Sequence, residues 1–284
     1  MSNSPCPALV KPEWVFEHLA DSDMVLLDAS YFLPNQNRDA RSDYGVAHLP
    51  GAGFFDIDEV ADHGTPLPHM LPKPEQFAAA VGALGIGNQT HVIAYDSNFF
   101  MASARLWWTF RVFGHDRISV LDGGQEAWKA KGFPLTSAQR NPIQRAFEAN
   151  FRAELVTDMP TVKSLIGSDK TQIVDARSPG RFKGKDPEPR PGLRSGHIPG
   201  SRNLFFKDLV DSASLQMRPI AALKILFADA GINVERDVIT TCGTGVTASI
   251  LALGLFCLGN HRVAVYDGSW TEWGGQPDTP VATS

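Results

Sequence analysis

One stretch of the chain has residue types and spacing suited to nucleophilic chemistry: Cys242-Gly243-Thr244-Gly245-Val246-Thr247-Ala248. The β-branched run Val238-Ile239-Thr240-Thr241 precedes it and an apolar run follows it, so the pattern predicts a strand, a tight loop and a helix. Gly243 and Gly245 let such a loop curl with its N–H groups turned inward. The helix that follows adds the positive end of its dipole. A cysteine at the mouth of this nest is expected to carry a stabilised thiolate. The plainer alternative is a small buried residue at the end of a strand. Of the other two cysteines, Cys6 lies in a proline-rich start and is expected to be incidental. Cys257 shares the apolar run with Ile250, Leu253 and Phe256, which suits a packed core thiol. Three cysteines without metal-ligand spacing offer neither a disulfide scaffold nor a metal site, and no metal or organic cofactor is expected.

The elements that would position this loop occur twice. Asp28 after Val25-Leu26-Leu27 corresponds to Asp175 after Ile173-Val174, and His48-Leu49-Pro50-Gly51 corresponds to His197-Ile198-Pro199-Gly200. Asp96 after Val92-Ile93-Ala94-Tyr95 corresponds to Cys242, Ala102-Ser103 to Ala248-Ser249, and Asp122-Gly123-Gly124 to Asp267-Gly268-Ser269. The offsets, read at Asp28, His48, Asp96 and Asp122, are 147, 149, 146 and 145 residues. Matches in one order at a nearly constant offset indicate a duplication. The expected organisation is an N-terminal domain over 1–136, a linker over 137–152 around Asn141-Pro142, and a C-terminal domain over 153–284. Strands are predicted at 25–28, 92–95 and 118–121, and again at 173–175, 238–241 and 263–266. Helices are predicted at 75–84, 102–113 and 124–131, and at 161–168, 219–230 and 246–258. Short unbroken apolar strands alternating with helices specify an α/β fold: two tandem domains, each a parallel sheet flanked by helices. Ligands in such sheets bind where strand passes to helix, after residues 95 and 241 here.

The 284 residues are 43% hydrophobic, 10% aromatic and 20% charged, which excludes a disordered, coiled-coil or collagen-like chain. A net charge of −5 argues against nucleic acid as a partner. The longest apolar run, Ile250 to Leu258, is nine residues, and a membrane span needs about 20. The start, Met1-Ser2-Asn3-Ser4-Pro5-Cys6-Pro7, has no basic or apolar leader segment, so a soluble cytoplasmic protein with no membrane partner is expected.

The duplication, the His-Ile-Pro-Gly motif, the cysteine loop and the segment Tyr266-Asp267-Gly268-Ser269-Trp270-Thr271-Glu272-Trp273 resemble the rhodanese-type sulfurtransferases, over about Leu9 to Gly274. Within that family the resemblance is to the branch acting on 3-mercaptopyruvate. It implies two tandem rhodanese-like domains, with the active cysteine in the second, Asp96 in its place in the first, and a substrate cleft between them. The implied activity moves the sulfur of 3-mercaptopyruvate through a Cys242 persulfide to a thiol, such as a thioredoxin-like protein, or to cyanide, and releases pyruvate. A thiosulfate:cyanide sulfurtransferase is the alternative donor reading, and a non-enzymatic persulfide carrier is the alternative class. Thiosulfate members of the family place basic residues directly after the cysteine, where Gly243 and Thr244 stand here.

The resemblance also assigns roles. Arg181 and Arg190 match the two arginines that hold the keto acid, although most arginines are simply solvated. The N–H groups of Gly243, Thr244, Gly245, Val246 and Thr247 would cradle the persulfide. Asp58, His69 and Thr244 match a proposed hydrogen-bonded relay, with threonine replacing the family's usual serine. Threonine keeps the hydroxyl but restricts χ1. The alternatives are a helix-capping Asp58 and a loop-positioned His69. Ser178 reads as a helix cap before Pro179, and Arg177 as a member of a structural ion pair. His48 and His197, present in both halves, read as structural histidines. Trp107, Trp108, Trp270 and Trp273 read as packing.

Overall fold

The computed structural model describes residues 7–33 and 36–283, and Cys6 lies outside them. The chain forms two compact units. The first comprises the residues up to Asp62, Leu71–Arg152 and Ser212–Met217; the second comprises His63–Met70, Ala153–Asp211 and the chain from Arg218 onward.

In the first unit five parallel strands, β1 (Leu9–Val10), β2 (Met24–Asp28), β3 (Gly53–Phe54), β4 (His91–Tyr95) and β5 (Ile118–Leu121), lie in the order β1-β5-β4-β2-β3. The helices are α1 (Pro12–Glu17), α2 (Ala40–Val46), α3 (Pro74–Ala83), α4 (Ser103–Val112) and α5 (Gly124–Ala130). Side chains alternate across a strand. Ile93 and Tyr95 therefore join Leu26, Leu121 and Trp128 in one apolar layer, while Val92 and Ala94 face the other side.

The second unit repeats this arrangement with β6 (Val156–Thr157), β7 (Thr171–Asp175), β8 (Arg202–Asn203), β9 (Asp237–Thr241) and β10 (Val263–Tyr266), in the order β6-β10-β9-β7-β8. Its helices are α6 (Met159–Ser164), α7 (Pro179–Phe182), α8 (Ile220–Asp229), α9 (Ala248–Cys257) and α10 (Ser269–Trp273). Helix α9 packs on β9 and β10, and eight of its residues from Ala248 to Leu255 are buried, as its unbroken apolar sequence requires. The six predicted strands are the central strands of the two sheets. The edge strands β1, β3, β6 and β8 are two residues each, too short to show a period.

Residues 137–152, expected as a linker, run as a strap along the first unit. Arg145 N–H donates to the Gly82 carbonyl at 3.0 Å, and Asn150 and Arg152 N–H donate to the Phe113 and Val112 carbonyls at 2.9 and 2.7 Å. Phe147 is buried against Phe77, Phe110 and His115. The two motif histidines are buried in equivalent places. His48 Nδ1 bonds the Tyr44 carbonyl at 2.6 Å and His197 Nδ1 bonds the Phe182 carbonyl at 2.8 Å, each ring stacked on that same partner's ring. All four singled-out tryptophans are buried.

Candidate active site

Strand β9 is held between β7 and β10, and Asp175 pairs with Thr241 at its end. Cys242 is the next residue and is 1% exposed, so it forms the floor of the loop rather than its mouth, with half-buried Gly243 and Thr244 beside it. The loop is tied from below. Cys242 N–H donates to Ser269 Oγ at 3.1 Å, and Ser269 Oγ donates to the Tyr266 carbonyl at 2.7 Å. Trp270 N–H donates to the Cys242 carbonyl at 3.0 Å, and both the N–H and the hydroxyl of Thr271 donate to the Gly243 carbonyl, at 2.9 and 2.7 Å. Gly245 turns the chain into α9 with φ +77°, a conformation that side chains disfavour.

The Cys242 and Gly243 carbonyls are thereby occupied, while most of the loop's donors are not. The N–H groups of Gly243, Thr244, Val246, Thr247 and Ala248 donate to no described residue. Open donors at the start of a ten-residue helix suit an anion. The first unit shows the same nest filled from within. The Asp96 carboxylate accepts the N–H groups of Asn98, Ala102 and Ser103 at 3.0, 3.2 and 2.8 Å. Burial pushes the Asp96 carboxyl up, against these hydrogen bonds, which favour its anion.

Beside the cysteine loop lies a chain of charges. Arg177 is held by Asp175 through contacts of 2.6 to 3.1 Å, by the Gly196 carbonyl at 2.7 Å and by Glu188 at 2.8 Å, with its guanidinium 4.1 Å from the Trp270 ring centre. Burial works against the Arg177 charge, but Asp175 and Glu188 outweigh it and hold its pKa above the ordinary value. Glu188, whose side chain is 1% exposed, also takes Arg181: Nε donates to Oε1 at 3.3 Å and Nη2 to Oε2 at 2.5 Å. Arg181 Nη2 lies 3.3 Å from the point a Cβ on Gly243 would occupy, so the guanidinium sits against the cysteine loop. Arg190 is half-buried and makes no hydrogen bond or ion pair with a described residue. Ser178 precedes α7 without capping it through its side chain, so that expectation is corrected: Pro179 starts the helix by its fixed φ alone.

Of the relay residues, His69 and Thr244 belong to the second unit and Asp58 to the first. His69 is buried with φ +60°. Asp58 lines a cavity of about 350 Å³ with Arg38, Arg41 and Asp56. No helix follows Asp58; the chain turns there, and Asp56 Oδ1 accepts the N–H groups of Asp58 and Glu59 at 2.9 and 3.3 Å. The Thr244 hydroxyl bonds no described residue, so the structure does not join it to His69.

Glu188 and Ser269 went unremarked in the sequence. A glutamate in Asp186-Pro187-Glu188-Pro189 reads as solvated. The signal for Ser269 was its position opposite Gly124: both adopt left-handed backbone, φ +50° and +57°, and only the serine offers a hydroxyl to the loop.

A family profile, the rhodanese-like domain, matches residues 11–131 and 158–276. The chain is 41% identical over 274 residues to human 3-mercaptopyruvate sulfurtransferase, covering 94% of this chain and 92% of that one. It is 42% identical over 301 residues to the mitochondrial thiosulfate/3-mercaptopyruvate sulfurtransferase 1 of Arabidopsis thaliana, covering 99% of this chain and 79% of that one. The crystal structure of SseA from Escherichia coli, described as a 3-mercaptopyruvate sulfotransferase, superposes with a TM-score of 0.82 at 34% identity, covering 93% of this chain and 99% of that one.

Proposed function

The chain belongs to the rhodanese-like family, and on that premise we propose that it transfers the sulfur of 3-mercaptopyruvate to a thiol or cyanide through a persulfide on Cys242. The observation that carries this reading is the pairing of an unfilled N–H nest around Cys242 with the Arg181 guanidinium set against the same loop. A sulfur anion suits the nest, and a planar keto acid suits guanidinium forks.

In this mechanism the Cys242 thiolate attacks the substrate sulfur. The S–S bond forms as the C–S bond breaks, and the electron pair leaves with carbon as the pyruvate enolate. The proton carried by the substrate thiol ends on that carbon, giving pyruvate and an anionic Cys242 persulfide. N–H groups of Gly243, Thr244, Gly245, Val246 and Thr247 stabilise that charge. Arg181 and Arg190 hold the carboxylate and carbonyl of the substrate. Thr244, backed by His69 and Asp58, moves the proton. An acceptor thiolate, for example from a thioredoxin-like dithiol, or cyanide then attacks the outer sulfur and restores the Cys242 thiolate. A reducing compartment such as the cytoplasm keeps this thiol free between turnovers. Thiosulfate is a second donor to test, because one relative carries both donors in its name. The test is kcat/KM for pyruvate release from mercaptopyruvate against kcat/KM for thiosulfate with cyanide. A clear mercaptopyruvate preference is expected, and a thiosulfate preference contradicts the donor assignment.

A further inference from the structure

Glu188 has no counterpart in the mechanism above, yet it is a fully buried carboxylate wedged between two arginines. Its support is rigid. Asp175, at the end of β7, fixes Arg177; Arg177 Nη1 fixes Glu188 Oε1; and Glu188 fixes the Nε–Nη2 side of Arg181. The opposite edge of Arg181, formed by Nη1 and the second hydrogen of Nη2, donates to no described residue. The ion pair therefore chooses which edge of the guanidinium remains for a ligand.

The ion pair also settles the charge. Arg177 and Arg181 are matched by Asp175 and Glu188, so the cluster is neutral before any substrate arrives. Arg190 is matched by no described residue. Arg181 thus presents beside the cysteine loop a fork that is directional yet carries no net charge together with its partners. That combination suits a monoanion with a neutral carbonyl beside its carboxylate. It is poorly matched to a compact dianion, which meets a fixed carboxylate within the same cluster.

Resting on the sulfurtransferase reading, we infer that Glu188 is a positioning and specificity-determining residue: it orients Arg181 and, by cancelling its charge, favours a monoanionic keto-acid donor over dianionic thiosulfate. The test compares wild type with Glu188→Gln for both donors, with thermal melting in parallel. Glu188→Gln keeps the shape but removes the charge. It is expected to lower kcat/KM for mercaptopyruvate and to raise the thiosulfate-to-mercaptopyruvate ratio of kcat/KM by about tenfold. A merely structural glutamate would depress both donors alike, and an unchanged or falling ratio overturns the inference. Glu188→Asp keeps the charge but shortens the reach, and it decides the matter if the glutamine variant does not fold. It should lower mercaptopyruvate turnover without raising the ratio; unaffected mercaptopyruvate turnover, or a ratio that rises, overturns the inference. A wild-type enzyme that releases no pyruvate from mercaptopyruvate would instead remove the reading on which the inference rests, and that arm is measured first.

Discussion

Arg181 Nη2 lies 3.3 Å from the position a Cβ on Gly243 would take, so a side chain after the cysteine would press on the guanidinium. The fit links the loop that would carry sulfur to the group that would hold the donor.

Gly243→Ala should therefore act on the donor more than on the fold. A Cβ at that spacing forces the guanidinium to shift by a few tenths of an ångström. Misplacement of a positioning group on this scale is expected to cost about 3- to 30-fold in kcat/KM for mercaptopyruvate. The melting temperature should stay within a few degrees of wild type. Steady-state kinetics beside a thermal melt checks both, and unchanged kinetics would mean that Arg181 does not contact the donor.

Ser269→Ala removes the hydroxyl that accepts the Cys242 N–H at 3.1 Å and donates to the Tyr266 carbonyl at 2.7 Å. It leaves a buried N–H unsatisfied and is expected to cost about 1–3 kcal/mol of stability. Because that N–H belongs to Cys242 itself, kcat should fall as well. Urea denaturation together with kcat on the folded protein tests this, and full kcat would detach Ser269 from the loop's geometry.

The pH dependence of stability contains two opposed contributions from the first unit. Burial raises the Asp28 carboxyl from 3.8 to about 6, so the native state keeps a proton that the unfolded chain releases. Stability from this group is complete below pH 3.8 and is lost as the pH rises through about 6. Burial lowers His91 from 6.5 to about 4, so its stability is complete above pH 6.5 and is lost as the pH falls through about 4. Asp28→Asn keeps an acceptor for the Ser30 N–H, now at 2.9 Å. It should therefore be more stable than wild type at pH 7.5, by on the order of 1–3 kcal/mol. With Asp28 gone, one contribution opposing His91 is removed, so stability should climb more steeply between pH 4 and 6.5. Urea midpoints across this range provide the check; a variant less stable than wild type at pH 7.5 would show that the Asp28 charge is well solvated or compensated.

Much of this arrangement is legible in the residues, and the gaps have physical reasons. Val92-Ile93-Ala94-Tyr95 and Val238-Ile239-Thr240-Thr241 announce central strands because burial on both faces leaves no polar alternation. Leu9–Val10 and Arg202–Asn203 announce nothing, because an edge strand of two residues is defined by its hydrogen-bonded neighbour. Asn141-Pro142 suggests a linker by composition, while the anchor of that segment is Phe147, whose burial depends on rings from α3 and α4. At the site, the Cys-Gly-Thr-Gly pattern declares the loop through local backbone requirements alone. Glu188 is hidden from such a reading, because its partners Arg177 and Arg181 are brought to it by the turn around α7. A sequence shows where a loop must curl more readily than where a charge will be cancelled.

The covalent step is the centre of the account, and intact-protein mass spectrometry with peptide mapping reaches it most directly. Wild-type protein given 3-mercaptopyruvate without an acceptor should release about one equivalent of pyruvate and gain the mass of one sulfur atom on the peptide carrying Cys242. Cys242→Ser should do neither. Sulfur found on Cys257, or pyruvate still released catalytically by Cys242→Ser, would contradict it.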